Sequence, residues 1–224
     1  IYDVDEKKYY FLEMNTRIQV EHPVTELITN NDLVSMQIKF AFDRKTKFLK
    51  QEKISSYGHA IECRVYAEDP SKNFLPSPGK INKMKFPEIP NGIRLDWGYD
   101  EKDEISFYYD PMIGKIISHA LVREDAIDKL ISFLEKISID GIKTNIPFLI
   151  SLLKDQRFLN GTHNTKYIEN NLNALVSTTP KFNQISKNID LNPGRIKIVE
   201  TDKLKVAHGS KKTSEGGIKV VYFD

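Results

Sequence analysis

Polar side chains occupy every second position between residues 13 and 21, a stretch that we call the polar segment. They are Glu13, Asn15, Arg17, Gln19 and Glu21, and apolar residues or threonine separate them. Alternate side chains of an extended strand lie on one face, so this spacing predicts a strand that presents carboxylates, amides and a guanidinium together. At about 3.3 Å per residue, a straight strand would spread the row over roughly 26 Å, too far for one small substrate. We therefore expect the polar segment to bend or to line adjoining subsites.

The residues around the polar segment predict the local fold. Residues 4–8 form a polar turn and residues 9–14 are rich in strand-forming side chains, so a hairpin with Glu13 on its second strand is expected. Pro23 should end the strand pairing, and Asp32 is a good N-cap for the next helix. The helical stripe behind that cap consists of Leu33, Met36, Gln37, Phe40 and Ala41. The same alternation is also typical of the solvated face of an edge strand, and this plainer interpretation stays open.

Further along the chain, strands and helices alternate. The strand predicted over 58–66 places Glu62 and Arg64 on one face, where an ion pair between them would orient the guanidinium. Two amphipathic helices are expected, the first over 123–137 and the second capped by Thr144, with Phe148, Leu149, Leu152 and Leu153 facing the core. A rigid loop over 74–81 precedes the remaining short strands, which are predicted at 81–86, 92–97, 105–109 and 108–117, the last with a turn at Asp110 and Pro111.

Composition excludes several classes of protein. The 224 residues are 40% hydrophobic, which is enough for a substantial core in one large or two small domains. A net charge of +2 gives no strong attraction to nucleic acid or to an acidic membrane. With no long apolar run and no secretory leader, the chain is expected to be soluble and cytoplasmic. Cys63 is the single cysteine, so we expect a buried thiol rather than a disulfide or a thiolate metal site.

The end of the chain has a different composition. Residues 175–224 contain nine basic and five acidic side chains, and this change in charge predicts a boundary near Asn173. Brief alternation at Ile196 and Ile198, and again at Val220 and Tyr222, predicts short strands joined by loops. No catalytic pattern occurs there, and a solvated basic surface explains the charge.

The polar segment contains the residue types of a reaction centre. Glu13 and Asn15 provide the oxygen ligands that magnesium prefers, and magnesium usually arrives with nucleotide phosphates. Arg17 offers a planar fork that matches a small oxyanion, and Gln19 adds a donor beside it. Glu21 is a candidate general base. The polar segment therefore predicts a metal and phosphate end and an oxyanion and base end.

Other polar residues carry weaker signals. The histidines at 22, 59, 119 and 163 have no shared metal-ligand spacing, so none is assigned a functional role. Asp110 and Lys115 lie close together in the sequence. Turn capping for Asp110 and surface charge for Lys115 explain them as well as a functional role does.

Several strings of the sequence resemble biotin carboxylase, the ATP-grasp subunit or domain of biotin-dependent carboxylases such as acetyl-CoA carboxylase. They are FLEMNTRIQVEHPVTELIT, GHAIECRVYAEDP, FLPSPGKI, YYDPMIGKII and IDGIKTNIPFL, which together lie within residues 1–172. The resemblance implies an α+β fold with an antiparallel sheet flanked by helices. It assigns residues 1–55 to the end of the ATP-grasp domain and 56–172 to the biotin carboxylase C-terminal domain, and leaves 173–224 as an unassigned basic tail or the start of a further module.

The resemblance also implies roles for the polar segment. Glu13 and Asn15 match the residues that hold the metal, Mg²⁺ or Mn²⁺, and the phosphates of ATP. Arg17, Gln19 and Val20 match the bicarbonate pocket. These assignments agree with the two ends that the residue types predict.

Two further roles follow from the same resemblance. Glu21 matches the base that deprotonates bicarbonate, and the carbonate then attacks ATP to give carboxyphosphate, whose breakdown releases carbon dioxide beside biotin. Arg64 matches the residue that stabilises the biotin enolate, where a guanidinium meets developing negative charge. Arg17, Glu21 and Arg64 are thus the catalytic candidates, and they are expected to converge on one cleft.

The implied partners are a biotin carboxyl carrier, a carboxyltransferase and a second copy of the chain in the intact enzyme. Biotin carboxylases carry an N-terminal domain, a glycine-rich lid and a phosphate-contacting lysine upstream of these motifs, and none is found before Glu13. We therefore expect half an active site with little ATPase activity alone. The alternative is a non-catalytic dimerisation and biotin-docking module of a multidomain carboxylase. A different ATP-grasp ligase is a weaker alternative, because it would not need Arg64 in its strand.

Overall fold

The computed structural model describes residues 1–47, 49–177 and the backbone of 219–221. The chain divides into two compact units, Ile1–Tyr57 and a second that begins at Gly58. We describe each unit by itself. Within the described residues, no helix combines the length and the apolar character needed to span a membrane.

The first unit begins with a small antiparallel hairpin. Strands β1 (Tyr2–Asp3) and β2 (Lys8–Tyr9) pair with Tyr2 opposite Tyr9, so the predicted hairpin turn is confirmed. The second strand ends at Tyr9, however, and residues 10–20 belong to no strand. The prediction that Glu13 lies on a strand is therefore wrong. Alternation alone does not make a strand, because the backbone groups need a neighbouring strand to pair with.

Two helices follow the polar segment. Helix α1 (His22–Thr29) has Pro23 in its first turn, where the missing N–H of proline is tolerated. Pro23 was predicted only to end the strand pairing, so helix α1 itself was not predicted. Helix α2 (Leu33–Phe42) begins as predicted, since the Asp32 side chain accepts a hydrogen bond from the Ser35 backbone N–H at 2.7 Å.

The first unit contains little buried apolar surface. Among its described residues only Pro23 and Glu26 are buried, and Glu26 accepts the Leu33 backbone N–H at 2.8 Å. The predicted stripe of α2 is helical, but none of it is buried, and Gln37 and Ala41 are exposed. The large hydrophobic side chains that remain exposed include Tyr9, Tyr10, Phe11, Leu12, Met14 and Phe42.

In its described residues, the second unit is built on short strands and four α-helices. The strands are β3 (His59–Tyr66), β4 (Glu68–Asp69), β5 (Leu75–Pro76), β6 (Gly79–Lys80), β7 (Lys83–Lys85), β8 (Ile93–Trp97), β9 (Glu104–Ile105), β10 (Met112–Ala120), β11 (Ser138–Asp140) and β12 (Lys219–Val221). The helices are α3 (Arg123–Leu134), α4 (Ile146–Lys154), α5 (Gln156–Leu159) and α6 (Tyr167–Ser177).

Over the part of the chain that the structure describes, the main sheet has four antiparallel strands in the order β12-β8-β10-β3. Its register places Cys63, Ile116 and Leu95 side by side on one face. All three belong to a hydrophobic core with residues of α3 and α4, and Cys63 is buried as predicted. The opposite face carries charged side chains. The α+β fold with helices against an antiparallel sheet is thus confirmed.

Most predicted elements of the second unit are present, with shifted ends. The strands expected at 58–66 and 92–97 are β3 and β8, whereas the strand expected at 105–109 stops at Ile105. The helix expected after Thr144 begins one residue later, because Asn145 is its N-cap. Ile196, Ile198 and Tyr222 lie outside the described residues. Val220 lies in β12, which pairs with β8.

Candidate functional site

The N-terminal half of the polar segment is open to solvent. Glu13, Asn15 and Arg17 are exposed, and none of them lies in a helix or strand. Arg17 Nη1 donates a hydrogen bond to the neighbouring Ile18 carbonyl at 3.1 Å. These side chains are therefore available to a ligand.

The C-terminal half of the polar segment is ordered by the start of α1. The Gln19 carbonyl accepts the His22 backbone N–H at 3.3 Å and lies 2.7 Å from His22 Nδ1. The Glu21 carbonyl accepts the Val24 backbone N–H at 3.1 Å, and Glu21 is the N-cap residue of the helix. Gln19 and Val20 are half-buried beside it. The amino end of a helix favours anions, so this turn is a suitable place for a small oxyanion.

Glu13 and Asn15 supply only part of a metal site. Within the described ranges, no three side chains of histidine, cysteine, aspartate or glutamate come together as ligands. Magnesium commonly uses one or two protein carboxylates and completes its shell with water and phosphate oxygens. An exposed carboxylate beside a carboxamide fits that kind of site.

Arg64 lies on β3 with its side chain 38% exposed. The carboxylate of Glu62, on the same face, lies 3.7 Å from Arg64 Nε and is 5% exposed. This arrangement confirms that the two side chains share a face and form an ion pair. The Arg64 guanidinium is therefore accessible to solvent, while the carboxylate that it pairs with is buried.

The charged face continues across the sheet. Lys115 is on β10, and it lies directly opposite Arg64 of β3 on one side and Asp96 of β8 on the other. Lys115 Nζ is 3.6 Å from Asp96 Oδ2, and Arg94 donates two hydrogen bonds to the same carboxylate. Arg94, Asp96 and Lys115 are all buried. The explanation of Lys115 by surface charge is thus wrong. Arg94 and Asp96 were missed, although their alternation with Ile93, Leu95 and Trp97 indicates a polar face on β8.

Two other polar groups of the second unit have structural partners. Asp110 Oδ1 accepts the Met112 backbone N–H at 2.8 Å, which agrees with turn capping. Asp69 accepts a hydrogen bond from Lys143 Nζ at 2.6 Å. Burial alone would raise the pKa of Asp69, but the hydrogen bonds from Lys143 and Ser71 outweigh it and lower that pKa.

The catalytic candidates fall in different units. Arg17 and Glu21 belong to the first unit and Arg64 to the second. Their convergence on one cleft stays a prediction.

Two family models match the chain. The model of the carbamoyl-phosphate synthase L chain ATP binding domain matches residues 1–48. The model of the biotin carboxylase C-terminal domain matches residues 62–170. The first match contains the whole polar segment, and the second contains Glu62 and Arg64.

Known proteins and solved structures give the same result. Biotin carboxylase 1 of Bacillus subtilis is 49% identical over 169 residues, which are 75% of this chain and 37% of that protein. The methylcrotonoyl-CoA carboxylase subunit alpha of Dictyostelium discoideum is 35% identical over 215 residues, 96% of this chain and 31% of that protein. The chain thus spans about a third of the length of these relatives.

The biotin carboxylase domain dimer of Hydrogenobacter thermophilus 2-oxoglutarate carboxylase was solved with MgADP, ADP and bicarbonate. It superposes with a TM-score of 0.71 at 44% identity, over 76% of this chain and 37% of that chain.

A segment that matches the carbamoyl-phosphate synthase L chain ATP binding domain is followed by an antiparallel sheet that matches the biotin carboxylase C-terminal domain. This combination defines the class as biotin carboxylases. The chain belongs to the biotin carboxylase family and corresponds to its C-terminal portion.

Proposed function

We propose that this chain supplies the base, the bicarbonate-binding residues and the biotin-facing arginine of an ATP-dependent biotin carboxylase. The observation that carries the proposal is the turn at the start of α1, where Gln19, Val20 and Glu21 are ordered beside a helix N-terminus. The match of this segment to an ATP-binding domain supports it. A structural relative holds MgADP and bicarbonate.

The first chemical step uses the oxyanion end of the polar segment. Arg17 pairs with bicarbonate through its planar guanidinium, and Gln19 and the Val20 backbone orient it. Glu21 accepts the bicarbonate proton. A carbonate oxygen then forms a bond to the terminal phosphorus of ATP while the bond to the bridging oxygen breaks. The products are carboxyphosphate and ADP.

Glu13 and Asn15 would hold the metal at the other end of the polar segment. When bound, Mg²⁺ neutralises phosphate charge and orients the terminal phosphate. The protein's own contribution there is two exposed oxygen ligands two residues apart, which leave room for phosphate oxygens and water.

Arg64 acts in the second step. Cleavage of the C–O bond of carboxyphosphate gives carbon dioxide and inorganic phosphate. The phosphate accepts the proton of the biotin ureido nitrogen, and that nitrogen then bonds to the carbon of carbon dioxide. A guanidinium near the ureido oxygen stabilises the negative charge that develops on it. The exposed part of the Arg64 side chain is suited to this role.

Reconstitution tests the proposal. The 224-residue chain is mixed with the upstream part of Bacillus subtilis biotin carboxylase 1, and bicarbonate-dependent ATP cleavage is measured with and without biotin. We expect activity only in the mixture, a loss in both assays for Glu21→Gln, and a loss of the biotin-dependent part for Arg64→Ala. Exposed Glu52→Gln and Arg157→Ala are the matched controls. Unchanged rates in the Glu21 and Arg64 variants of an active mixture would overturn the catalytic assignment.

A second candidate is a module for assembly and biotin docking within a longer carboxylase subunit. The observation that favours it is the 215-residue alignment with a methylcrotonoyl-CoA carboxylase subunit, which extends beyond the biotin carboxylase C-terminal domain. In that case the chain should bind a biotinylated carrier or a second copy of itself without supporting ATP cleavage. Sedimentation and carrier binding in the reconstitution mixture distinguish the two candidates. The acceptor of the carboxyl group would be selected by the carboxyltransferase in either case.

A further inference from the structure

Strand β3, which carries Arg64, is an outer strand of the described sheet, so one of its backbone edges lacks a strand partner there. Asn145 occupies part of this edge. Its Nδ2 donates to the Arg64 carbonyl at 3.1 Å, and its Oδ1 accepts the Tyr66 backbone N–H at 2.9 Å. The Asn145 backbone N–H also donates to the Tyr66 carbonyl at 3.1 Å. The side chain and the backbone N–H of Asn145 thus bind Arg64 and Tyr66 of β3.

The position of Asn145 makes this contact rigid. The residue is buried and is the N-cap of α4, so its backbone is set by the helix start. The helix itself packs into the core through Ile146, Ile150 and Leu153. A buried amide that uses both its donor and its acceptor fixes the neighbouring backbone more strongly than a solvated one. The backbone of Arg64 is therefore tied to the core through α4.

Glu62 contacts the guanidinium end of Arg64. Its carboxylate is almost completely buried and lies 3.7 Å from Arg64 Nε. The neighbouring cation on β10, Lys115, pairs with Asp96. Like charges directly opposite in a sheet repel each other, and the Glu62 carboxylate beside Arg64 offsets the repulsion from Lys115.

We propose that Asn145 and Glu62 are positioning residues for Arg64, the first through its backbone and the second through its guanidinium. The inference rests on the proposed function, in which Arg64 faces biotin. Neither residue touches the reacting atoms. Their loss should move the guanidinium without disturbing the polar segment, so the biotin-dependent step should fail while the ATP step continues.

The test uses the reconstituted enzyme and the variants Asn145→Asp and Glu62→Gln. The first replaces the Nδ2 donor by an oxygen that repels the Arg64 carbonyl, and the second removes the charge at constant shape. We expect kcat for biotin carboxylation to fall by about 10- to 100-fold, as for misplaced supporting groups. Biotin-independent ATP cleavage and the KM for ATP should stay within about twofold, which a general loss of folding would not allow.

Two reference variants make the result decisive. Ser118→Ala on β10 removes a buried hydrogen bond to the Ala126 carbonyl of α3 and serves as the structural control. Arg64→Ala reports the direct role of the arginine. If Arg64→Ala slows biotin carboxylation but both positioning variants behave like Ser118→Ala, the inference is overturned. If Arg64→Ala has no effect, the proposed role of Arg64 fails first.

Hydrogen exchange separates a folding defect from a positioning defect. In Asn145→Asp, circular dichroism should stay native while exchange at the Tyr66 amide and its neighbours on β3 accelerates by about tenfold or more, because a local hydrogen bond opens. If Asn145→Asp does not fold, Glu62→Gln alone decides. Native exchange at Tyr66 together with normal biotin carboxylation would contradict the role of Asn145.

Discussion

Arg94 donates two hydrogen bonds to Asp96, two residues further along the same strand. The Nε to Oδ1 distance is 2.8 Å and the Nη2 to Oδ2 distance is 2.9 Å. Both side chains are more than nine-tenths buried, and Lys115 from the adjacent strand approaches the same carboxylate. Asp96 is therefore the common anion of two buried cations on the charged face of the sheet.

Removal of Asp96 should destabilise the second unit. Asp96→Ala leaves two buried cations without their shared carboxylate, which costs about 3–5 kcal/mol in the free energy of unfolding. The measurement is urea denaturation followed by circular dichroism. The control is Glu135→Gln, which removes the more exposed ion pair of Glu135 with Lys154 and should cost about 1 kcal/mol or less. Equal losses in the two variants would contradict the importance of burial.

Gly114 should not tolerate a side chain. A Cβ at this position would overlap the Trp97 ring and lie 2.9 Å from the Asp96 carbonyl oxygen. Gly114→Ala is therefore expected to cost about 1–3 kcal/mol through overpacking. Gly98→Ala is the matched control, because its Cβ would meet only the Ile113 carbonyl oxygen at 3.7 Å. Thermal unfolding of the two variants measures the difference, and equal melting temperatures would refute this account of the β8 and β10 contact.

Cys63 should be unreactive in the folded protein. Burial, and then the Glu62 carboxylate, raise the pKa of the Cys63 thiol to about 12. At about pH 8 only roughly one thiol in ten thousand would be ionised, and the thiolate is the species that reacts. Iodoacetamide labelling followed by mass spectrometry should show modification in urea but almost none under native conditions. Rapid native labelling would mean that the sheet opens far more often than its packing implies.

Asp69 should contribute stability at neutral pH and lose it in acid. Its pKa is lowered in the folded state, so its contribution is complete above the unfolded value of about 3.9 and disappears as pH falls through the folded pKa. Asp69→Asn should therefore cost about 1–3 kcal/mol at pH 7, from lost charge-assisted hydrogen bonds, and progressively less below about pH 4. Denaturation at several pH values measures this. Exposed Asp140→Asn is the control, and a difference between Asp69→Asn and the parent chain that does not depend on pH would contradict the assignment.

Local patterns were sufficient for much of the second unit. The alternation over 58–66 predicted β3 and the shared face of Glu62 and Arg64, because side chains of a paired strand alternate strictly. Asp32 was recognised as a helix cap because its short carboxylate reaches an unpaired backbone N–H within the same few residues. Such interactions are local, so the sequence displays both partners.

The polar segment shows where local patterns fail. Its alternation predicted a strand, but a strand needs a paired neighbour, and residues 10–20 have none among the described residues. The ordered part is instead the turn before α1, which Pro23 helps to start. The recognition of the family motif did not depend on that error, since the string of residues is specific whatever its backbone conformation.

The sequence by itself determined the family, the α+β class and the identity of the candidate site residues, because these depend on residue types and on spacing along the chain. Only the tertiary structure decided that Lys115 is buried against Asp96, that Arg94 joins them, and that Asn145 binds the edge of β3. Asn145 and Arg64 are 81 residues apart in the chain. Their contact depends on how the sheet and α4 pack together, and no local pattern records that.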